Sequence, residues 1–145
     1  MDGPRTVVPT VLSAVGELGQ HYKLPVANWF HAGEGNLHPN LLFDLRDGEV
    51  LHQVESAGEE MLRAVIEFGG ALSGEHGIGL EKSAFMPWVF SPDDLRAMHQ
   101  LQYAFDSDGI MNPGKVFHDP GRHADRLPGP TLLATPDDVL VRLLS

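Results

Sequence analysis

Residues 31–38 read HAGEGNLH, and this stretch decides both the local fold and the chemistry of the chain. The runs VANWF and PNLLF on either side are short and rich in aromatic or branched residues, as β-strands are. With Glu34 and Gly35 at the tip of a tight hairpin, His31 is paired with His38, and opposed residues share one face with Cβ atoms roughly 5 Å apart. On one continuous strand their odd spacing would put them on opposite faces. The turn therefore predicts a shared histidine site.

A second polar cluster, SGEHG, occupies residues 73–77. Its adjacent carboxylate and imidazole, Glu75 and His76, suit a divalent cation or a proton transfer. Ser73 is expected to be a hydrogen-bonding loop residue, because no base and orienting group can be identified around it. From the residues alone, a metal or active site and a simple stacking of two histidines both remain open.

The composition limits the function classes. A formal net charge of −10 and a pI near 5.0 argue against nucleic acid and against an anionic membrane surface as partners. The absence of cysteine excludes disulfides, thiolate metal ligands and cysteine nucleophiles. The absence of cysteine also fits a reducing, cytoplasmic setting, and we expect no transmembrane segment because no apolar run approaches membrane-spanning length. A length of 145 residues predicts one main domain.

The hydrophobic pattern predicts an α+β fold in which helices pack on an antiparallel sheet. The predicted elements are helices at about residues 8–21, at residues 54–68 and from Ser91 toward Gly109, with strands around residues 26–30 and 39–43. Residues 1–118 are assigned to the domain. Residues 119–145 are assigned to a linker, rich in proline and glycine over residues 119–130, and a short C-terminal helix at about residues 139–144.

Three motifs in order make the chain similar to a known family. HAGEGNLH is followed by GGALSGEHGIGLEK at residues 69–82 and by GIMNPGKVF at residues 109–117. Together they resemble the C-terminal part of the FAD-linked oxidases, the group of the glycolate oxidase D subunit, D-lactate dehydrogenase and D-2-hydroxyglutarate dehydrogenase. The resemblance covers about residues 6–118. It implies part of a ferredoxin-like α+β cap, or substrate, domain that faces a flavin held mainly by a separate N-terminal domain.

The resemblance also implies roles for individual residues. His31, His38 and Glu75 correspond to the ligands of a divalent metal, zinc or manganese. His76 corresponds to the catalytic base that takes the proton of the substrate hydroxyl, and Asn36 to a residue that holds the substrate.

Two further residues, Asn112 and Lys115, are implied to lie near the FAD ring. The expected partners are a small 2-hydroxy acid, an FAD-binding domain or subunit, and an iron–sulfur electron-transfer subunit.

Two departures from the family pattern affect the expected activity. Glu34 stands where the family has aspartate, which alters the turn by one methylene without changing its charge. Nothing in the chain resembles the phosphate-binding loops of a flavin domain, so we expect a fragment that is catalytically silent alone. The alternatives are a non-catalytic α+β metal-binding or assembly module and, less favoured, a metal-dependent hydrolase. A hydrolase has no reason to keep the flavin-facing motif at residues 112–115.

Overall fold

An antiparallel sheet and three helices form the part of the chain that the computed structural model describes, namely residues 3–44, 46–117, 133–134 and 139–143. The elements are helices α1 (Val8–His21), α2 (Gly48–Glu67) and α3 (Pro92–Phe105), strands β1 (Val26–His31), β2 (Asn36–Asp44), β3 (Leu133–Ala134) and β4 (Val139–Leu143), and short 3-10 helices at Arg5–Val7 and Ser83–Trp88. The combination of helices with an antiparallel sheet confirms the predicted α+β class.

The sheet includes residues 133–134 and 139–143, which corrects one prediction. Its strand order is β1-β2-β4-β3 with every neighbouring pair antiparallel. The short C-terminal helix predicted at about residues 139–144 is wrong, because Val139–Leu143 pairs along β2 as a strand. The sequence VLVRL suits a strand, since branched and apolar residues pack well on a pleated surface. The predicted linker at residues 119–130 lies outside the described residues.

Helices α1 and α2 cover one face of the sheet. α1 buries Val11 and Val15, four residues apart on one side of the helix. On α2 the buried positions also recur at helical spacing: Val54, Ala57, Gly58, Met61, Leu62 and Val65. The spacing on both helices is that of an amphipathic helix with one apolar side, so the hydrophobic core lies between them and the sheet.

The two faces of β2 differ in chemistry although both are buried. Leu37, Leu41 and Phe43 belong to the apolar core on the helix side. The opposite face carries polar side chains that are also buried: Asn36, His38 and Asn40. Buried polar groups on a strand are costly unless they are paired, so this face is where a function is expected.

The chain forms two compact units. One comprises Met1–His76 with Gly129–Ser145 and holds the sheet, α1 and α2, while the other comprises Gly77–Pro128 and holds α3. In the second unit, α3 starts with the predicted cap, in which Ser91 and Asp94 exchange side-chain and backbone hydrogen bonds. No helix within the described ranges combines the length and the apolar character needed to cross a membrane.

Candidate metal centre

The hairpin that carries the two histidines turns over four residues rather than two. His31 pairs with Asn36, and Trp29 pairs with His38. The predicted pairing of His31 with His38 is therefore wrong, because the His31 carbonyl accepts hydrogen bonds from the backbone N–H groups of both Glu34 and Gly35, at 2.9 and 3.0 Å.

Glycine suits this turn for two reasons. Gly35 has a φ of +87°, and a Cβ there would lie 2.2 Å from the backbone oxygen of Gly3. The register differs from the predicted one by two residues, an even number, so His31 and His38 still share one face of the sheet.

Three histidines converge on one carboxylate oxygen. Nε2 of His38, His76 and His31 lies 3.2, 3.4 and 3.8 Å, respectively, from Oε1 of Glu75. The rings of His31 and His38 meet edge to face, with centroids 5.5 Å apart. All four side chains belong to the first compact unit.

The histidine on the sheet is the buried member of the cluster. The side chain of His38 is 10% exposed, whereas those of His31 and Glu75 are 55% and 46% exposed. Burial lowers the pKa of His38 and so favours its neutral form. A neutral imidazole is the form that binds a metal ion. The cluster thus combines one buried imidazole with two side chains, His31 and Glu75, on the solvent side.

The donor set fits a divalent cation. One atom from each of His31, His38 and Glu75 can be chosen so that all three lie within 4.8 Å of one another. Around a tetrahedral zinc with bonds near 2.0–2.2 Å, neighbouring ligand atoms are about 3.3–3.6 Å apart, so shifts of about an ångström would bring the three atoms to these separations. Two imidazoles and a carboxylate also suit manganese. Three protein ligands leave at least one coordination position open.

Asn36 lies beneath the segment that carries Glu75. A Cβ built on Gly74 would lie 2.6 Å from Oδ1 and 2.8 Å from Cγ of Asn36. Asn36 is 4% exposed, and its Oδ1 is buried without a hydrogen-bond partner, as is the Oγ of Ser73. The structure therefore brings the predicted substrate residue beside the ligands, although its contact with a substrate stays a prediction.

Sequence reasoning missed a residue on the same face. Asn40 is fully buried, and its Nδ2 donates to the backbone carbonyls of His38 and Ala27 at 2.9 and 3.2 Å. These bonds fix the backbone of the buried histidine. The signal was present, because a residue two positions after His38 on a strand must project from the same face.

The two residues expected near a flavin lie in the second unit. Asn112 has a φ of +48°, and its carbonyl accepts a hydrogen bond from the Lys115 backbone at 3.2 Å, which closes a turn. Lys115 is exposed and lines an open cleft of about 250 Å³ together with His99 and Phe117, whose rings stack with centroids 4.1 Å apart.

One lysine of the second motif, Lys82, is buried, although lysine side chains are usually exposed to solvent. Lys82 is 6% exposed, and burial lowers its pKa to about 8. Its neighbour Ser83 is buried as well, and the Ser83 hydroxyl donates to the Leu80 carbonyl at 2.7 Å. The charge of a lysine is poor evidence for exposure where the segment around it is irregular.

Comparison with known proteins identifies the sequence family to which the chain is similar. The family model described as "FAD linked oxidases, C-terminal domain" matches residues 3–116. The glycolate oxidase subunit GlcD of Escherichia coli (strain K12) is 46% identical over 117 residues, which are 79% of this chain and 23% of that protein. The subunit of the same name from Bacillus subtilis (strain 168) is 35% identical over 114 residues, 79% of this chain and 24% of that protein.

A relative that is named for a different substrate matches over a similar length. D-2-hydroxyglutarate dehydrogenase of Stutzerimonas stutzeri (strain A1501) is 35% identical over 114 residues, 76% of this chain and 25% of that protein. The chain therefore spans about a quarter of the length of these curated relatives.

Proposed function

The chain belongs to the FAD-linked oxidases through their C-terminal domain, and on this premise we propose that it supplies the metal ligands and the base of an FAD-dependent 2-hydroxy-acid dehydrogenase. The observation that carries the proposal is the convergence of three histidine nitrogens on one oxygen of Glu75. The substrate class is that of glycolate and D-lactate, because relatives are named for acids of this type.

Oxidation of a 2-hydroxy acid removes a proton from its hydroxyl group and a hydride from its α-carbon. When bound, a cation held by His31, His38 and Glu75 would orient and polarise the acid, and FAD would accept the hydride. The open side of the cluster, where His31 and Glu75 are half-exposed, is where the carboxylate and hydroxyl of the substrate would enter.

His76 is assigned as the base. Its Nε2 lies 3.4 Å from Glu75 Oε1, so it stands beside the position that a metal-held hydroxyl would occupy. An imidazole takes up and releases protons in the physiological range, and a positioned base contributes about 10²–10⁴-fold to such a reaction. The half-exposed His76 side chain can also pass the proton on to water.

FAD would be held mainly by a separate FAD-binding domain, either in the same polypeptide or in another subunit. Asn112 and Lys115 are the residues of this chain assigned to the flavin side. An iron–sulfur subunit is the proposed electron acceptor in an assembly of the glycolate oxidase kind.

A non-catalytic metal-binding or assembly module is the second candidate, because all three ligands come from this chain and need no flavin. A metal-dependent hydrolase gains no support from membership in an FAD-linked family.

The test combines the chain with the FAD-binding part of a curated relative and measures dye reduction by glycolate and D-lactate. Turnover should require both polypeptides and a divalent metal, and EDTA should abolish it. His76→Gln should lower turnover at least about 100-fold while bound metal is unchanged. The matched control is His52→Gln on the surface of α2, where the side chain is 91% exposed.

Each outcome decides between the candidates. Absence of turnover in every combination, with metal still bound, refutes the dehydrogenase and supports the binding module. Loss of metal from His76→Gln would show that His76 is a ligand rather than the base.

A further inference from the structure

We propose that Asn36 and Gly74 act as a pair of positioning residues that set the place of the Glu75 carboxylate, with Asn36 buried beneath the backbone rather than in contact with the substrate. The proposal rests on the proposed function only in taking the group that binds at His31, His38 and Glu75 to be a divalent metal ion. It concerns how the chain brings a ligand from a distant segment onto the two histidines of the hairpin.

Asn36 lies at the centre of the ligand face. It is directly opposite His31 across the hairpin and two residues before His38 on β2. Side chains two apart on a strand, and those of opposed residues on neighbouring strands, project from one face. The Asn36 carboxamide is therefore flanked by both imidazoles.

Gly74 closes over this carboxamide. A Cβ at position 74 would lie 2.6, 2.8 and 3.1 Å from Oδ1, Cγ and Nδ2 of Asn36, so the whole amide group occupies the place of an alanine methyl. With 4% of Asn36 exposed, the amide cannot swing into solvent to make room. The Asn36 carboxamide thus packs against the backbone at Gly74, immediately before Glu75, and limits how closely that backbone can approach the sheet.

The distances within the cluster show why the contact between Asn36 and Gly74 matters for the position of the Glu75 carboxylate. Glu75 Oε1 already lies 3.2 Å from His38 Nε2, close to the separation of neighbouring ligand atoms around one cation. Ligand sets must be held within roughly 0.5 Å of their working geometry. A methyl group 2.6 Å from Oδ1, where ordinary contact begins at 3.4 Å, overlaps it by 0.8 Å, and a displacement of the Gly74 backbone by that full overlap would move Glu75 beyond the tolerance.

The experiment is a double-mutant cycle read by metal affinity. Gly74→Ala should weaken zinc binding by about 10–100-fold, the range reported for outer partners of metal ligands, and should alter the visible spectrum of the cobalt-substituted protein. Asn36→Ala should weaken zinc binding less, because it removes the carboxamide that packs against Gly74 without forcing a steric clash. In Asn36→Ala/Gly74→Ala the new methyl group fills the vacated space, and affinity should return to that of Asn36→Ala.

Gly33→Ala is the matched control. Gly33 lies in the same hairpin, and a Cβ there has nothing within 4 Å. This variant should bind zinc like the wild type. Additive effects of Asn36→Ala and Gly74→Ala, or a Gly74→Ala variant with wild-type affinity, would overturn the proposal.

Failure of the proposed function is a separate result. A wild type that binds no divalent metal refutes the metal centre but leaves the steric pair testable by crystallography of Gly74→Ala. In that structure, a Glu75 carboxylate displaced by less than about 0.5 Å overturns the positioning role, and a larger displacement supports it.

Discussion

Zinc should stabilise the metal-free chain against heat, and His31→Ala should remove that stabilisation. The proposed ligands are residues 31, 38 and 75, which are brought together only in the folded chain. A ligand that binds the folded state alone adds RT ln(1 + [L]/Kd), which is about 2.7 kcal/mol at a free zinc concentration of 100 Kd. Each kcal/mol shifts the melting temperature of a chain of this size by about 2–4 °C, so the expected rise is roughly 5–11 °C.

His31 is the informative ligand to remove. Its side chain is 55% exposed, so His31→Ala leaves no large cavity in the protein. The stability of the metal-free variant should therefore stay within about 0.5 kcal/mol of the wild type. His38→Ala would be harder to interpret, because that side chain is 10% exposed and its loss leaves a cavity.

The magnitude follows from the loss of one ligand in three. Outer partners of metal ligands alone are worth about 10–100-fold in affinity, so a lost ligand should cost at least about 100-fold. At the same zinc concentration the remaining stabilisation is then below about 0.4 kcal/mol, or roughly 1–2 °C.

Differential scanning calorimetry of EDTA-dialysed protein over a zinc series is the assay. His52→Ala, which removes a histidine that is 91% exposed on α2, should keep the full rise in melting temperature. An equal rise in the wild type and in His31→Ala refutes the ligand assignment. A loss in His52→Ala as well would show that zinc binds surface histidines without specificity.

Two further predictions use residues on or beside β2. Trp29 pairs with His38 on the ligand face and is 69% exposed, so cobalt should quench its fluorescence. Trp29→Phe should lose the metal-dependent quenching and Trp88→Phe should keep it; quenching that survives in Trp29→Phe would place the metal elsewhere. Hydrogen bonds from Arg46 lower the pKa of Asp44 to about 2 from 3.8, so its contribution to stability is present above about pH 4 and is lost as the pH falls toward 2. Arg46→Gln should return that pKa toward 3.8 in an NMR titration, and an unchanged value would contradict the assigned cause.

Local sequence signals predicted the parts of the fold that local interactions determine. The apolar spacing around Val11 and Val15 predicted a helix over residues 8–21, and α1 has these bounds. The capping residues Ser91 and Asp94 marked the start of α3 for the same reason, since a cap satisfies backbone groups within one turn.

Long-range pairing was beyond the reach of such signals. Val139–Leu143 forms a strand because β2 offers it an edge about 100 residues earlier in the chain, and an isolated VLVRL segment suits a helix or a strand equally. The hairpin register was mispredicted for a related reason. The choice between a two-residue and a four-residue turn depends on Gly35 lying against the Gly3 backbone, a tertiary contact.

The site was predictable in kind but not in arrangement. HAGEGNLH indicated a shared histidine face because a turn lies between the two histidines, and this prediction survived the error in register because the shift was even. Nothing local placed Glu75 on that face; only the resemblance to a family supplied it. The burial of Asn36 could not be predicted either, since it depends on the Gly74 backbone crossing above it.

The candidate metal site lies apart from the apolar core that stabilises the fold, and this affects what a bound metal would do. The apolar core, with Leu41, Val54 and Met61 fully buried, lies on the helix side of the sheet, whereas the ligands lie on the opposite face. Structural zinc sites typically close with four protein ligands and supply folding energy that a small core lacks. Here the three proposed ligands leave one side of the cluster open to solvent, and the apolar core does not include them. A cation bound at the proposed ligands His31, His38 and Glu75 would therefore be open to a ligand from solvent, and the metal-free chain should stay folded.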